Sequence, residues 1–295
     1  MRFGGHESFA VREGWLSRGL ELLAKQPELL VDQHAEDHLG VGRNMAKAIR
    51  HWLVAAGLAS TAKTTNDQLA FTPFGKQIYK SDPHLLDLGT WWMLHINLVC
   101  NKDSAFTWNW FFNQWAIVRF ERSPCIEGLK RFCASTLQRA PKAATLEREI
   151  ATLLQSYARP IPAKMDDPED SADSPFQDLN LVYHHGASGY YQLNFDPKNI
   201  SRWVFGYALS KFNGENARTE FSISELERAG QSPGRCFLLR GDDLYDLVLR
   251  CEDEDPKLFA LRSQAGERGV RLGRKLSDVE WAKGHYENLE VAING

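Results

Sequence analysis

GVGRNMAKAIRHWLVAAGL, residues 40–58, is the stretch whose reading decides the fold. Met45, Ile49, Trp52, Leu53 and Ala56 recur at helical spacing and make one apolar face. Arg43, Lys47 and Arg50 recur at the same spacing, starting two residues earlier. Two residues turn about 200° around a helix, so the basic stripe lies opposite the apolar one. One face can enter a core while the other meets anions. Gly40 and Gly42 loosen the entry, and Gly57 predicts the stop. No Asp or Glu stands between Asp37 and Asp67, although the whole chain carries a formal net charge of −3.

Working outward, residues 29–39 predict a short helix before this one. Residues 58–71 predict a hairpin with a polar tip at Thr65, Asn66 and Asp67, and Thr72-Pro73-Phe74-Gly75 opens another helix. Short helix, longer helix and hairpin are the order of a winged helix-turn-helix, whose second helix enters a DNA major groove. On that reading Arg43, Lys47 and Arg50 meet phosphates, Asn44 reads a base edge, and Lys63 on the wing touches a phosphate across the minor groove. The plainer alternative is a solvated basic face on an ordinary helix.

A length of 295 residues predicts two or three domains, and 43% hydrophobic content with nine tryptophans allows sizeable cores. The slightly acidic balance excludes a generally basic, histone-like protein, so contact with double-stranded DNA must be a local patch. Five cysteines without a CxxC pair predict reduced thiols in a cytoplasmic protein. The start, MRFGGHESF, has no apolar signal core, and no run reaches the roughly 18 apolar residues of a membrane span.

FGGHESF, residues 3–9, predicts an ordered turn before a helix that reaches Lys25, capped by Ser8 or Glu7. Two glycines beside His6 and Glu7 suit a phosphate approached by backbone amides, with His6 as general base and Glu7 as its orienter or a metal ligand. The alternative is that His6 and Glu7 hold the terminus by hydrogen bonds. Arg12 can pair with Glu7 or reach a phosphate. Residues 83–115 are an aromatic belt, with Trp91, Trp92, Phe106, Trp108, Trp110, Phe111, Phe112 and Trp115 interrupted by His95, Asn97, Asn101, Asn109 and Asn113. It reads as a core helix pair, or as a base-stacking surface. Residues 159–174 are rich in Pro, Asp and Glu and read as a linker. Residues 175–196 predict a hairpin turning at 186–189. In the last hundred residues, a Ser222 cap, short helices and a final hairpin carry a second basic surface that includes Arg268, Arg271 and Arg274.

The expected class is mainly α with small β-hairpins (α+β). The expected parts are a winged helix-turn-helix-like domain over 1–82, an aromatic-rich helical domain with the acidic linker and hairpin over 83–198, and a C-terminal helical/hairpin module over 199–295. There is no GxxxxGK[ST], no GxSxG and no zinc-ligand spacing, so no nucleotide cofactor is expected.

FGGHESFAVREGW, LGVGRNMAKAIRHWLVAAGL, LAFTPFGKQIY, TWWMLHINLV and TWNWFFNQW resemble a bacterial family of formerly unknown function. SYARP, DSPFQDLNLV and SPGRCFLL extend the resemblance over nearly the whole chain, less specifically. That family lies beside PAPS-reductase-like proteins in DNA phosphorothioation clusters, and SspB, a nicking component, is its best-described member. The resemblance implies DNA binding, nicking of one strand and anti-phage defence. It implies partners that deliver sulfur: a cysteine desulfurase, an ATPase and the PAPS-reductase-like protein. It transfers no catalytic residue, because no nuclease motif is visible to align. Nicking calls for Mg²⁺ or Mn²⁺ held by carboxylates, or for a nucleophile with a general base. The competing expectations are a non-catalytic DNA-binding adaptor for the sulfur-transfer machinery and a protein-interaction scaffold. A homodimer is expected from the helix-turn-helix reading.

Overall fold

Thirteen helices and nine strands run along the described part of this computed structural model, which covers residues 3–61, 68–161, 174–214, 216, 218–264 and 266–294. The chain divides into two compact units, Met1–Asn194 and Phe195–Gly295. The boundary expected near residue 82 therefore falls inside the first. The class is α+β and mainly helical, as the sequence predicts.

The first unit begins with α1 (Trp15–Lys25), α2 (Ala35–Leu39), α3 (Arg43–Ala55), β1 (Ala59–Thr61), β2 (Leu69–Phe71) and α4 (Pro73–Ser81). The start of α1 differs from expectation. Glu7 and Ser8 adopt left-handed φ of 50° and 67°, and the helix begins after Gly14, with no side-chain cap. Gly57 stops α3 in the left-handed region, where a side chain would be strained. The strands β1 and β2 pair antiparallel, Ala59 opposite Phe71 and Thr61 opposite Leu69. Thr72 caps α4, its hydroxyl accepting from the Gly75 amide at 2.9 Å.

The aromatic belt becomes α5 (Leu88–Cys100) and α6 (Phe106–Gln114), followed by β3 (Arg119–Phe120), α7 (Arg122–Thr136), α8 (Ala143–Tyr157) and β4 (Ala158–Ile161). It is core: Trp91, Trp92, Phe106, Trp108, Trp110, Phe111, Phe112 and Trp115 are all buried. Its polar residues are satisfied by packing partners, as burial requires. His95 Nδ1 meets the Tyr157 hydroxyl at 2.8 Å. The Asn97 and Asn101 amides donate to the Ala56 and Ala55 carbonyls at 2.9 and 3.1 Å. Those carbonyls close α3, so α5 grips α3 by its C-terminal end.

A sheet outside the expected hairpin completes this unit. β5 (Val182–His185) and β6 (Tyr190–Leu193) form the hairpin, but β3 joins β6 antiparallel and β4 joins β5 in parallel. The strand order is β3-β6-β5-β4. Most of the acidic linker, residues 162–173, lies outside the described residues.

The second unit contains α9 (Arg202–Asn213), β7 (Glu220–Ser222), α10 (Ile223–Arg228), α11 (Pro233–Phe237), α12 (Gly241–Glu254), β8 (Phe259–Gln264), β9 (Glu267–Leu272) and α13 (Asp278–Asn294). Ser222 caps α10 as the sequence predicts, accepting from the Glu225 amide at 3.2 Å. The sheet order is β7-β9-β8. α9 and α13 interlock reciprocally: Trp281 lies on Gly206 and Trp203 lies on Gly284, with no room for a Cβ at either glycine. Only glycine lets the two helices come that close.

Candidate functional site

The face that the opening stretch puts outward is the first candidate. Ala46, Ile49, Trp52 and Leu53 bury one side of α3. Met45 is half-buried, while Arg43, Asn44 and Lys47 are exposed and Arg50 is half-exposed. The opposed stripes are therefore real. Arg43 Nε lies 3.1 Å from Glu36 Oε1 on α2. The Glu36 backbone amide and then Arg43 hold that carboxyl below its usual range. Lys47 Nζ donates to Asn44 Oδ1 at 3.4 Å. Positive charge thus stands at the N-terminal end of α3, the end away from the Asn97 and Asn101 grip. Lys63 lies outside the described residues.

The N-terminal turn is the second candidate, and its geometry differs from its sequence. His6 is 1% exposed and Glu149, in the middle of α8, is 4% exposed. His6 Nε2 stands 3.1 Å from Glu149 Oε1. The same oxygen accepts the Gly4 amide at 2.6 Å, and Oε2 accepts the Thr107 hydroxyl at 2.8 Å. His6 Nδ1 accepts from the Ser8 amide at 3.1 Å, which places the ring proton on Nε2, facing the carboxylate. Burial works to raise the Glu149 carboxyl, but His6, the Gly4 amide and the Thr107 hydroxyl outweigh it and leave it lowered. The His6 ring stacks on Trp52 at 5.9 Å and meets Trp108 edge-on at 5.7 Å. Trp52 Nε1 donates to the Phe9 carbonyl at 3.0 Å.

The carboxylate that His6 engages is therefore Glu149, a residue that sequence reading did not single out. Glu7 is half-exposed at the turn's surface. Arg12 lies over the Trp15 ring at 5.5 Å. The Gly4 amide is committed to Glu149. This arrangement ties the terminus to α8 and seats it on α3. No spacing signal could have paired residues so far apart; only the lone buried carboxylate on the α8 core face hints at it.

In the second unit, Arg268 stacks over Tyr245 at 4.5 Å, and Arg271 and Arg274 are exposed. The neighbouring helix α12 is acidic, with Asp242, Asp246 and Asp253 exposed on it. Burial pushes the Cys125 and Cys251 thiols up to about 12, which makes them poor nucleophiles. Among the described residues no three His, Cys, Asp or Glu side chains converge as a metal-holding group. No helix among them is long and apolar enough to cross a membrane.

The family model described as "Protein of unknown function (DUF4007)" matches residues 3–283. The chain belongs to this family. No curated protein matches the sequence. Solved structures share the fold, among them two of SspB. A magnesium ion-bound SspB crystal structure superposes with a TM-score of 0.85 at 23% identity, covering 98% of this chain and 88% of that one. A second SspB crystal structure gives 0.84 at the same identity and coverage. The DUF4007 chain thus has an SspB-like fold, as the resemblance implied.

Proposed function

We propose that this DUF4007 protein is a DNA-binding component of a DNA phosphorothioation system, engaging duplex DNA through the exposed face of α3 and nicking one strand. The carrying observation is the Arg43/Asn44/Lys47 face, exposed on a helix whose other side is locked into the core. The SspB-like fold supports the same reading. In it the short helix α2, the long helix α3 and the β1–β2 hairpin act as a winged helix-turn-helix, with α3 in the major groove. Sulfur-delivering partners and a homodimer belong to this proposal. Divalent metal, Mg²⁺ or Mn²⁺, is the natural cofactor for the cut.

Burial of the His6–Glu149 pair favours a second reading, a DNA-binding adaptor that does not cut. Relaxation of supercoiled plasmid, with and without EDTA, separates the two. Nicking that EDTA abolishes supports the enzyme. Intact plasmid with a clear gel shift supports the adaptor, and no shift at low salt overturns both. His6→Ala and Glu7→Gln, each first shown to melt and bind like the wild type, then test the turn. Wild-type nicking in both removes it from the chemistry.

A further inference from the structure

The four-stranded sheet has one face that reaches the core at Phe120, Val182 and Leu193, with His184 and Tyr191 half-exposed beside them, and a second face with two rows that contain no buried position. Phe120, Val182 and Leu193 are buried on the inner side, where Tyr191 stacks between Phe120 and His184. The strand registers place Arg119, Gln192, Tyr183 and Arg159 in one row across the other face. The next row on that face is Tyr190, His185 and Ile161. Tyr183, His185, Tyr190 and Gln192 are half-exposed, Arg119 and Arg159 are exposed, and Ile161 is 38% exposed. Ile117 and Val118, leading into β3, are 48% and 39% exposed. None of these paired positions is Asp or Glu. The first acid in register beyond β3 is Glu121.

A sheet face turned to water normally carries polar side chains. This one interleaves rings and Ile161 with its polar groups, several of which are tied to partners in or beside the sheet. His185 Nε2 meets Gln192 Oε1 at 3.1 Å, and the Tyr183 hydroxyl accepts from Asn194 at 2.9 Å. The Arg119 guanidinium lies over the Tyr190 ring at 4.8 Å, and Arg159 donates to Asn180 Oδ1 at 2.8 Å. The rings are thereby held in place at little further entropic cost. Arg119 and Arg159 stand at opposite edges, three strand spacings or roughly 14 Å apart.

We infer that this open face is a docking platform for single-stranded DNA. Rings that stack unpaired bases, with guanidinium groups at both edges for the phosphates, suit a strand without sequence preference. A duplex keeps its base faces covered, so it gains nothing from such a sheet. The inference rests on the reading of the chain as a DNA-handling protein, but it uses a surface other than α3. It gives that protein a place to hold a strand once the strand has left the duplex.

The test is fluorescence anisotropy of the full chain with a labelled oligothymidine and, separately, a labelled duplex. Tyr190→Ala and Arg119→Gln should each weaken oligothymidine binding about tenfold and leave duplex binding unchanged. Lys47→Ala should do the reverse. Tyr190→Phe keeps the ring and should bind oligothymidine like the wild type, which separates lost stacking from a disturbed sheet. Unchanged oligothymidine affinity in both Tyr190→Ala and Arg119→Gln overturns the platform, whether or not duplex binding survives. Duplex binding unchanged in Lys47→Ala, with oligothymidine binding weakened by Tyr190→Ala and Arg119→Gln, overturns the α3 reading and leaves the platform standing.

Discussion

Glu149 is the buried carboxylate on which three polar groups of the first unit converge, since it holds Gly4, His6 and Thr107 at once. Its folded carboxyl is lowered, so it lies below the unfolded value of about 4.3. Its stabilising contribution is full above that unfolded value and is lost as pH falls through the folded one. Glu149→Gln should cost about 1–3 kcal/mol at neutral pH and flatten the loss of stability on acidification. Denaturant midpoints measured across the acid range check this, and a variant with the wild-type acid slope would mean the carboxylate is not the group that matters. Trp52 is 1% exposed and stacked with His6. Trp52→Ala should cost about 3–5 kcal/mol, and a loss under about 1 kcal/mol would contradict a core role. At this scale the sequence was half legible. Trp52 shows its burial through periodicity. The His6 partner does not show, because the nearer Glu7 offers the simpler pairing and only the fold brings α8 to the terminus.

The helix α3 was the most legible element, since both of its faces follow from spacing alone. If its cations neutralise phosphates, Arg43→Ala and Lys47→Ala should each flatten the slope of log K against log salt by about 1. Asn44→Ala should relax sequence preference more than it weakens nonspecific binding. Duplex titrations at several salt concentrations decide it, and unchanged slopes in both basic variants would move the DNA to another surface. Strands were less legible. The β5–β6 hairpin announces itself through its turn, whereas β3 spans two residues and β4 is the four-residue ARPI with Pro160 inside it, so neither is long enough to read as a strand from sequence. Their pairing is decided by distant partners. In the second unit, the registers unite three strands around a hairpin whose arginines face outward, beside a helix whose exposed side is acidic. Duplex contact there is expected from the hairpin, because phosphates are repelled by Asp242, Asp246 and Asp253.

At the scale of the whole chain, each unit has its own core, that of the second built on Phe205, Phe237, Phe259 and Trp281. Residues 195–295 expressed alone should therefore melt cooperatively, and Gly206→Val should abolish that transition by forcing Trp281 off α9. A featureless melt of the wild-type fragment would show that the second unit borrows its stability. Composition and periodicity gave the class and the helices; the sequence expects divisions after residues 82 and 198, and the chain divides after Asn194, with the break between α4 and α5 lying inside the first unit. The bond from the Gly4 amide to Glu149 spans 145 positions of sequence, and it bears on the order of events during synthesis. At about 5–20 residues per second, the ribosome needs roughly 7–30 s to make the partner after the turn itself. Through that interval His6 lacks its Glu149 carboxylate, and the turn stays unsecured until α8 is made. Nascent chains halted before α8 should leave the turn open to proteases, and release of a few more turns of helix should close it.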